Sequence, residues 1–329
     1  MQQSDKYIAI DIGGTYTKLG LVTGGGTILA NKRFETRKCF DTHEFLIELN
    51  TAIASLLAET KNQTISGIGL GAPMANYHTG EIGSTANLNW KEPFNIQRYL
   101  TTAFDTKVAI TNDANLAALG EKKFGKGKHL DHFVTVTLGT GVGSGIIING
   151  RLFHSKHDLT GELGHMVVEK GGRQCGCGGR GCLETYVSAN GIVRTAFEMM
   201  SLEGPLNTKL TQLSSQNLTA EHVAQLAVEG DIVAAKVFEQ TGEKLGLALA
   251  NIATFLAPEK IFLSGGPINA GEILLRPTLK AFKNNLLRNL QGSVSVETAS
   301  LSANEISLLG AAALVMDDQN QLQETTTIR

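Results

Sequence analysis

Tyr7-Ile8-Ala9-Ile10 reads as a strand, and Asp11-Ile12-Gly13-Gly14-Thr15 follows it as a carboxylate at the strand end and a glycine turn. An apolar strand resumes through Lys18–Val22, and Thr23-Gly24 turns the chain again. The pattern returns 126 residues later without a gap. Ile8-Ala9-Ile10 lines up with Val134-Thr135-Val136, Gly13 with Gly139, and Leu19-Gly20-Leu21 with Gly145-Ile146-Ile147. The second turn is Leu138-Gly139-Thr140-Gly141-Val142-Gly143, and Asn149-Gly150 stands where Thr23-Gly24 stood. Two copies of one strand–turn–strand unit in 329 residues predict an α/β protein built from two similar halves.

Outward from these turns, Gly24-Gly25-Gly26 leads into a third strand near Thr27–Phe34. The segment from Asp41 to Thr60 reads as an amphipathic helix with Phe45, Leu49, Ile53 and Leu56 on one face, and Asp41 with Glu44 resembles a capping box. Ile65–Gly71 and Val108–Thr111 read as buried strands. In the second half Asp231 caps a long helix whose face includes Val233, Val237, Leu245, Leu249, Ile252 and Leu256, and Pro258 stops it. Ile261–Leu263 is a strand ending in Ser264-Gly265-Gly266-Pro267, and Gly310 to Val315 reads as a final apolar helix. No Pro- or Ser-rich linker divides the halves, so a shared interface with a hinge is expected.

Apolar residues make up 42% of the chain and charged residues 18%, an ordinary globular balance. The net charge of −2 provides no basic field for nucleic acid or anionic lipid. No run of ~18 apolar residues suggests a membrane span, and no apolar leader precedes Asp5. A reducing cytoplasm is the expected compartment, where clustered cysteines more often bind metal than pair.

Three of the four cysteines, Cys175, Cys177 and Cys182, fall within eight residues, ten residues after Gly161-Glu162-Leu163-Gly164-His165. One imidazole and three thiolates complete a tetrahedral zinc shell with no position for water, which argues for a structural metal. The competing possibility is a disulfide or inert thiols, but Cys175 and Cys177 are too close for an easy bridge. His154 and His157 are rival ligands without partners at comparable spacing, and Cys39 stands alone. Glu162 and Glu184 flank the metal set without being needed as ligands, so they can present acceptors to a polyol.

Both glycine turns suit phosphate, because successive N–H groups in a tight turn form an anion-binding concavity. The candidate phosphate-binding residues are Gly13, Gly14, Thr15, Thr17 and Lys18 in the first turn and Gly139, Thr140 and Gly141 in the second, with Gly265 and Gly266 forming a further glycine turn. Asp11 could hold Mg²⁺ through water. Simple hairpin turns are the rival explanation, weakened by the matched pair. A Rossmann G-x-G-x-x-G fails at Ser144. Gly120-Glu121-Lys122-Lys123-Phe124-Gly125-Lys126-Gly127 nearly matches a Walker A loop but lacks the final hydroxyl, and reads as a solvated helix end. Asn112-Asp113-Ala114-Asn115 follows a strand. Asp113 there could be a helix N-cap, or could take the proton of an attacking hydroxyl.

Together these segments resemble the ROK family of sugar kinases, within the actin-like ATPase superfamily. Asp11-Ile12-Gly13-Gly14-Thr15 is similar to the family's first phosphate loop, and Asn112-Asp113-Ala114-Asn115 to its catalytic segment. Glu162-Leu163-Gly164-His165 matches its E-x-G-H motif, Cys175 to Glu184 its C-x-C-G-x-x-G-C-x-E zinc motif, and Ser264-Gly265-Gly266 its adenosine-side turn. The resemblance implies a two-domain actin-like ATPase (ribonuclease H-like) fold with a zinc-binding loop. It implies a smaller domain of residues 1–115 plus about 310–329 and a larger one of 116–309. Asp113 becomes the general base, and Asn112, Glu162, His165 and Glu184 hold sugar hydroxyls, with Asn87 as a further sugar contact. His165 also binds zinc. Met74, in Gly71-Ala72-Pro73-Met74, stands where the family usually has glycine, near the expected sugar pocket.

The implied activity is ATP-dependent phosphorylation of a hexose at its 6-hydroxyl, with Mg²⁺ and a structural Zn²⁺. Glucose is the foremost substrate; N-acetylglucosamine, N-acetylmannosamine, mannose, fructose and allose are alternatives. The implied assembly is a homodimer or homotetramer. Two rivals are a sugar-binding protein without catalysis and a sugar-responsive repressor. With the first strand near Tyr7, no helix-turn-helix domain is expected before it.

Overall fold

The computed structural model describes residues 5–60, 64–85, 88–203, 208–212 and 217–327. The first half contains β1 (Lys6–Ile12), β2 (Thr17–Thr23), β3 (Ile28–Phe34), α1 (Thr42–Glu59), β4 (Gly67–Ala72), α2 (Ile96–Phe104), β5 (Val108–Asn112) and α3 (Asp113–Phe124). The second contains β6 (Phe133–Leu138), β7 (Val142–Ile148), β8 (Arg151–Leu152), α4 (Glu184–Val187), α5 (Ala189–Glu203), α6 (Ala220–Val228) and α7 (Ile232–Leu256). It continues through β9 (Lys260–Ser264), α8 (Glu272–Asn285), β10 (Ser295–Thr298) and α9 (Ile306–Thr327).

The internal repeat is a repeat of topology. One five-stranded sheet has the order β3-β2-β1-β4-β5 and the other β8-β7-β6-β9-β10. Each opens on the strand–turn–strand unit. β1 pairs antiparallel with β2 and parallel with β4, and β4 pairs parallel with β5. β9 pairs parallel with both β6 and β10. The copies differ at the edge, where β3 has seven residues and β8 only two.

Alternation along β1 explains how its sheet is covered on both faces. Ile8, Ile10 and Ile12 join Phe45, Leu49 and Ile53 of α1 and Leu100 of α2 in one core. Tyr7 and Ala9 join Leu116 and Leu119 of α3 and Leu308–Met316 of α9 in the other. The α1 face matches the spacing of its apolar residues, and Asp41 caps the helix by accepting from the Glu44 N–H at 2.8 Å. Glu44 in turn accepts from the Phe40 N–H at 2.8 Å. Such a cap is worth ~1 kcal/mol. Asp231 caps α7 in the same way, accepting from the Ala234 N–H at 3.0 Å.

The chain packs as two units. One holds the described residues of 1–131, 145–160 and 300–329, the other those of 132–144 and 161–299. The sequence places the corresponding boundaries near 115 and 310. Helix α3 stays with the first unit because Leu116 and Leu119 pack into the core formed with α9. Among the described residues, no helix is long and apolar enough to cross a membrane.

Candidate active site

In the first unit, strand register aligns the carboxyl ends of the parallel strands. Asp11 of β1 pairs with Gly71 of β4, which pairs with Thr111 of β5. Ala72 then lies beside Asn112, so the segment through Met74 and the start of α3 leave the same sheet edge. The cap of α3 is Asn112, whose side-chain oxygen accepts from the Ala114 N–H at 3.0 Å. Asp113 opens the helix rather than preceding it, and its carboxylate also accepts from Ala114, at 2.9 Å. Capping thus occupies the Asn112 oxygen.

Packing around Asp11 strips most of the water from its carboxyl, and this desolvation raises its pKa. The nearby Ser307 side chain of α9 and the charge of Lys18, directly across the β1–β2 pair, oppose the rise. A bound cation would act in the same direction as Lys18. The turn closes through the Gly13 N–H to the Tyr16 carbonyl at 3.0 Å. Among the described residues, nothing accepts from the N–H groups of Gly14 and Thr15. Thr17 corrects the sequence reading. It begins β2 instead of ending the turn, is fully buried, and its hydroxyl pairs with that of Thr36 at 2.8 Å. It therefore offers no hydroxyl to a nucleotide.

In the second unit, the Gly139 N–H closes the turn onto the Gly141 carbonyl at 2.9 Å. Thr140 is exposed, and among the described residues nothing accepts from the N–H groups of Thr140 and Gly141. The Val142 N–H donates to Glu184 Oε2 at 3.0 Å, and the Ala189 N–H donates to the Gly139 carbonyl at 2.9 Å. Gly265 follows β9 with φ 102° and sits so close to β6 that a Cβ would lie 1.9 Å from the Leu138 carbonyl oxygen. The adenosine-side glycine predicted from sequence therefore abuts the second turn.

His165, Cys175, Cys177 and Cys182 converge, with ligand atoms all within 4.8 Å of one another. Cys177 Sγ and Cys182 Sγ are 3.7 Å apart, and Cys175 Sγ is 3.6 Å from His165 Nδ1. Metal–sulfur bonds of ~2.3 Å and metal–nitrogen bonds of ~2.0 Å in a tetrahedron give edges of ~3.8 and ~3.5 Å, so the donor set fits a four-coordinate ion. Burial, and then hydrogen bonds from Cys177 and Cys175, push the Cys182 thiol up to about 12. The Gly179 backbone, followed by the other two thiols, holds Cys177 down. Together the three sulfurs and the imidazole could hold one metal ion. With Nδ1 facing the sulfurs, His165 Nε2 lies on the side of Glu162 Oε2, 3.7 Å away.

The loop between these ligands has a second clamp that sequence reasoning missed. Arg173 is buried and forks onto Glu198 of α5, with Nε–Oε1 at 3.1 Å and Nη2–Oε2 at 2.5 Å. It also donates to the Thr185 and Gly191 carbonyls and the Thr195 hydroxyl, and lies over the Tyr186 ring. Its only sequence signal is an arginine inside the metal loop; Glu198 is 25 residues away.

Asn87 lies outside the described residues. His154 is absent from the metal cluster, because it pairs with Asp158 at 2.6 Å and stacks on Tyr77. The Gly120–Gly127 segment is not a solvated helix end at Glu121. That carboxylate is fully buried and accepts from the Ser300, Leu301 and Lys126 N–H groups.

Two sheets of one strand order, each opening on a glycine turn, define an actin-like ATPase fold carrying a Cys₃His loop. The ROK family model matches residues 7–318, and the chain belongs to the ROK family. The glucokinase of Halalkalibacterium halodurans is 35% identical over 324 residues, covering 97% of each chain. A ROK family glucokinase from Streptomyces griseus, solved in complex with glucose and AMPPNP, superposes with a TM-score of 0.80 at 30% identity, covering 94% of this chain and 98% of that one. The xylose repressor of Bacillus subtilis is 28% identical over 312 residues, covering 94% of this chain and 77% of the repressor.

Proposed function

We propose that this protein is an ATP-dependent hexose kinase that converts glucose to glucose 6-phosphate. The observation that carries this reading is the register that sets Asp11, Met74 and Asp113 on one sheet edge, with Asp113 at the start of α3. Similarity to glucokinases at 30–35% identity supports glucose as the sugar.

Asp113 takes the proton of the 6-hydroxyl as that oxygen attacks the γ-phosphorus. The bond from that phosphorus to the bridging oxygen breaks, ADP leaves, and the proton rests on the carboxylate. N–H groups of Gly14, Thr15, Thr140 and Gly141 receive phosphate oxygens. Asp11 would hold Mg²⁺, which neutralises phosphate charge when bound. Asn112, Glu162, His165 and Glu184 hold the sugar, and Gly265 and Gly266 border the adenosine. His165, Cys175, Cys177 and Cys182 would hold Zn²⁺, a structural ion in a closed shell. Ligation at Nδ1 leaves the Nε2 proton to donate to a sugar oxygen. A cytoplasmic homodimer or homotetramer fits the family, and light scattering would measure its size.

The test is ADP release over a panel of hexoses and N-acetylhexosamines, with Asp113→Asn alongside. Turnover that favours glucose and is lost in the variant supports the proposal. A preference for another sugar would keep the kinase and change its substrate. ATP-binding protein silent on every sugar would overturn the proposal.

A further inference from the structure

We propose that Glu184 is a positioning residue for the second phosphate turn, so that the metal-bearing loop governs nucleotide affinity as well as sugar affinity; this rests on the kinase reading above. A carboxylate that only bound sugar would keep both oxygens for hydroxyl groups. Here Oε2 is already taken by the Val142 N–H at 3.0 Å. Gly141 makes room for it, since a Cβ there would lie 2.4 Å from Oε2. Ala189, at the start of the next helix, ties the other end of the turn by donating to the Gly139 carbonyl at 2.9 Å. The junction of α4 and α5 thus grips both ends of the turn. The N–H groups of Thr140 and Gly141, between the two grips, remain for phosphate.

Glu184 can act as a grip because its own backbone is held. It follows Cys182 by two residues, and the Leu183 N–H donates to the Met166 carbonyl at 2.9 Å. On its other side the Arg173 guanidinium binds the Thr185 and Gly191 carbonyls, and Glu198 holds Arg173. The metal loop, Glu184 and the turn therefore form a short chain of fixed contacts within one unit. Oε1 remains for a sugar hydroxyl, so one carboxylate touches both substrates' subsites. Any coupling through it is reciprocal, with sugar tightening nucleotide and nucleotide tightening sugar by the same factor.

The experiment compares Glu184→Ala and Glu184→Gln with the metal-loaded wild type. Mg·AMPPNP binding is measured by calorimetry without sugar, and amide exchange is followed over 138–143 and 12–17. Alanine removes the acceptor, so nucleotide affinity should fall about tenfold, the scale of one hydrogen bond to a charged group. Exchange should quicken over 138–143 and stay unchanged over 12–17. Glutamine keeps an acceptor oxygen and should restore both toward wild type, while the KM for sugar rises in both variants. Wild-type nucleotide affinity and protection in Glu184→Ala would overturn the proposal. Gly141→Ala presses on Oε2 from the turn side, and unchanged exchange over 138–143 in that variant would also overturn it. Wild-type protein that failed to bind Mg·AMPPNP would remove the kinase reading and the affinity claim. The exchange data would then judge the grip alone.

Discussion

The turn between β1 and β2 and the turn between β6 and β7 occupy the same place in sheets of the same order, yet different neighbours hold them. The first is backed by Asp11, which lies near Ser307 of α9 and faces Lys18 across the strand pair. The second is gripped by Glu184 and Ala189, which follow the metal loop. The cause lies at the hairpin's far edge. In the first half the chain spends seven residues on β3, whereas in the second β8 stops after two and the chain goes on toward the Cys₃His segment. The strands at the opposite edge of each sheet differ as well. Beyond β5 comes Asp113, while the matching β10 is followed by Ala299 and Ser300, which carry no carboxylate. Duplication explains a pair of glycine turns; in the function proposed above, what was added beyond each turn separates acid–base chemistry from metal-supported positioning.

The largest effect should come from the residue that only one half possesses. Asp113→Asn should lower kcat by ~10²–10⁴ with the fold intact. Near-normal turnover, read by ADP release beside a matching circular dichroism spectrum, would remove the assigned asymmetry. Next is the metal. Cys177→Ala should lose bound zinc, measured by elemental analysis, and raise the sugar KM by about tenfold. Amide protection should fall over 138–143 and persist over 12–17. Equal losses in both turns would mean that they are not held separately.

Asp11 sharpens the comparison through pH. Its folded-state pKa is raised, so the folded protein binds the proton more tightly than the unfolded chain. Stability contributed by the protonated form is therefore lost as pH climbs from the unfolded carboxylate value through the raised one. Above that window the buried charge weakens the fold. Asp11→Asn should therefore raise the nucleotide-free Tm at neutral pH by roughly 2 °C while lowering Mg·ATP turnover. A lower Tm would mean that the Ser307 and Lys18 contacts outweigh desolvation. The smallest effect belongs to Met74, which has φ 55° beside the same sheet edge. Met74→Gly should relieve left-handed strain and stabilise by about 1 kcal/mol, read by denaturant melts. Its sugar panel would report whether the side chain limits substrate size.

Much of the fold was legible because strands and helices announce themselves locally. The strand read over Tyr7–Ile10 lies within β1, and the face Phe45, Leu49, Ile53 and Leu56 is borne out by burial. The metal set was equally legible, since Cys175, Cys177 and Cys182 are close in sequence and one spacing leads back to His165. Thr17 was misread because its role depends on where β2 starts. As the first strand residue it alternates inward, whereas as a turn residue it would face a ligand. Glu121 was misread because its partners, Ser300 and Leu301, arrive from the far end of the chain.

The sequence by itself determined the duplicated hairpin, the two glycine turns, the Cys₃His donor set and the carboxylate after β5. Each is written in residues close enough for local spacing and periodicity to specify. Only the tertiary structure decided that Thr17 turns to Thr36, that Arg173 clamps the metal loop onto Glu198, and that Glu184 holds the Val142 amide. These partners are 19, 25 and 42 residues apart. A hydrogen bond across such a gap depends on which faces the packed core brings together, and no local pattern encodes that.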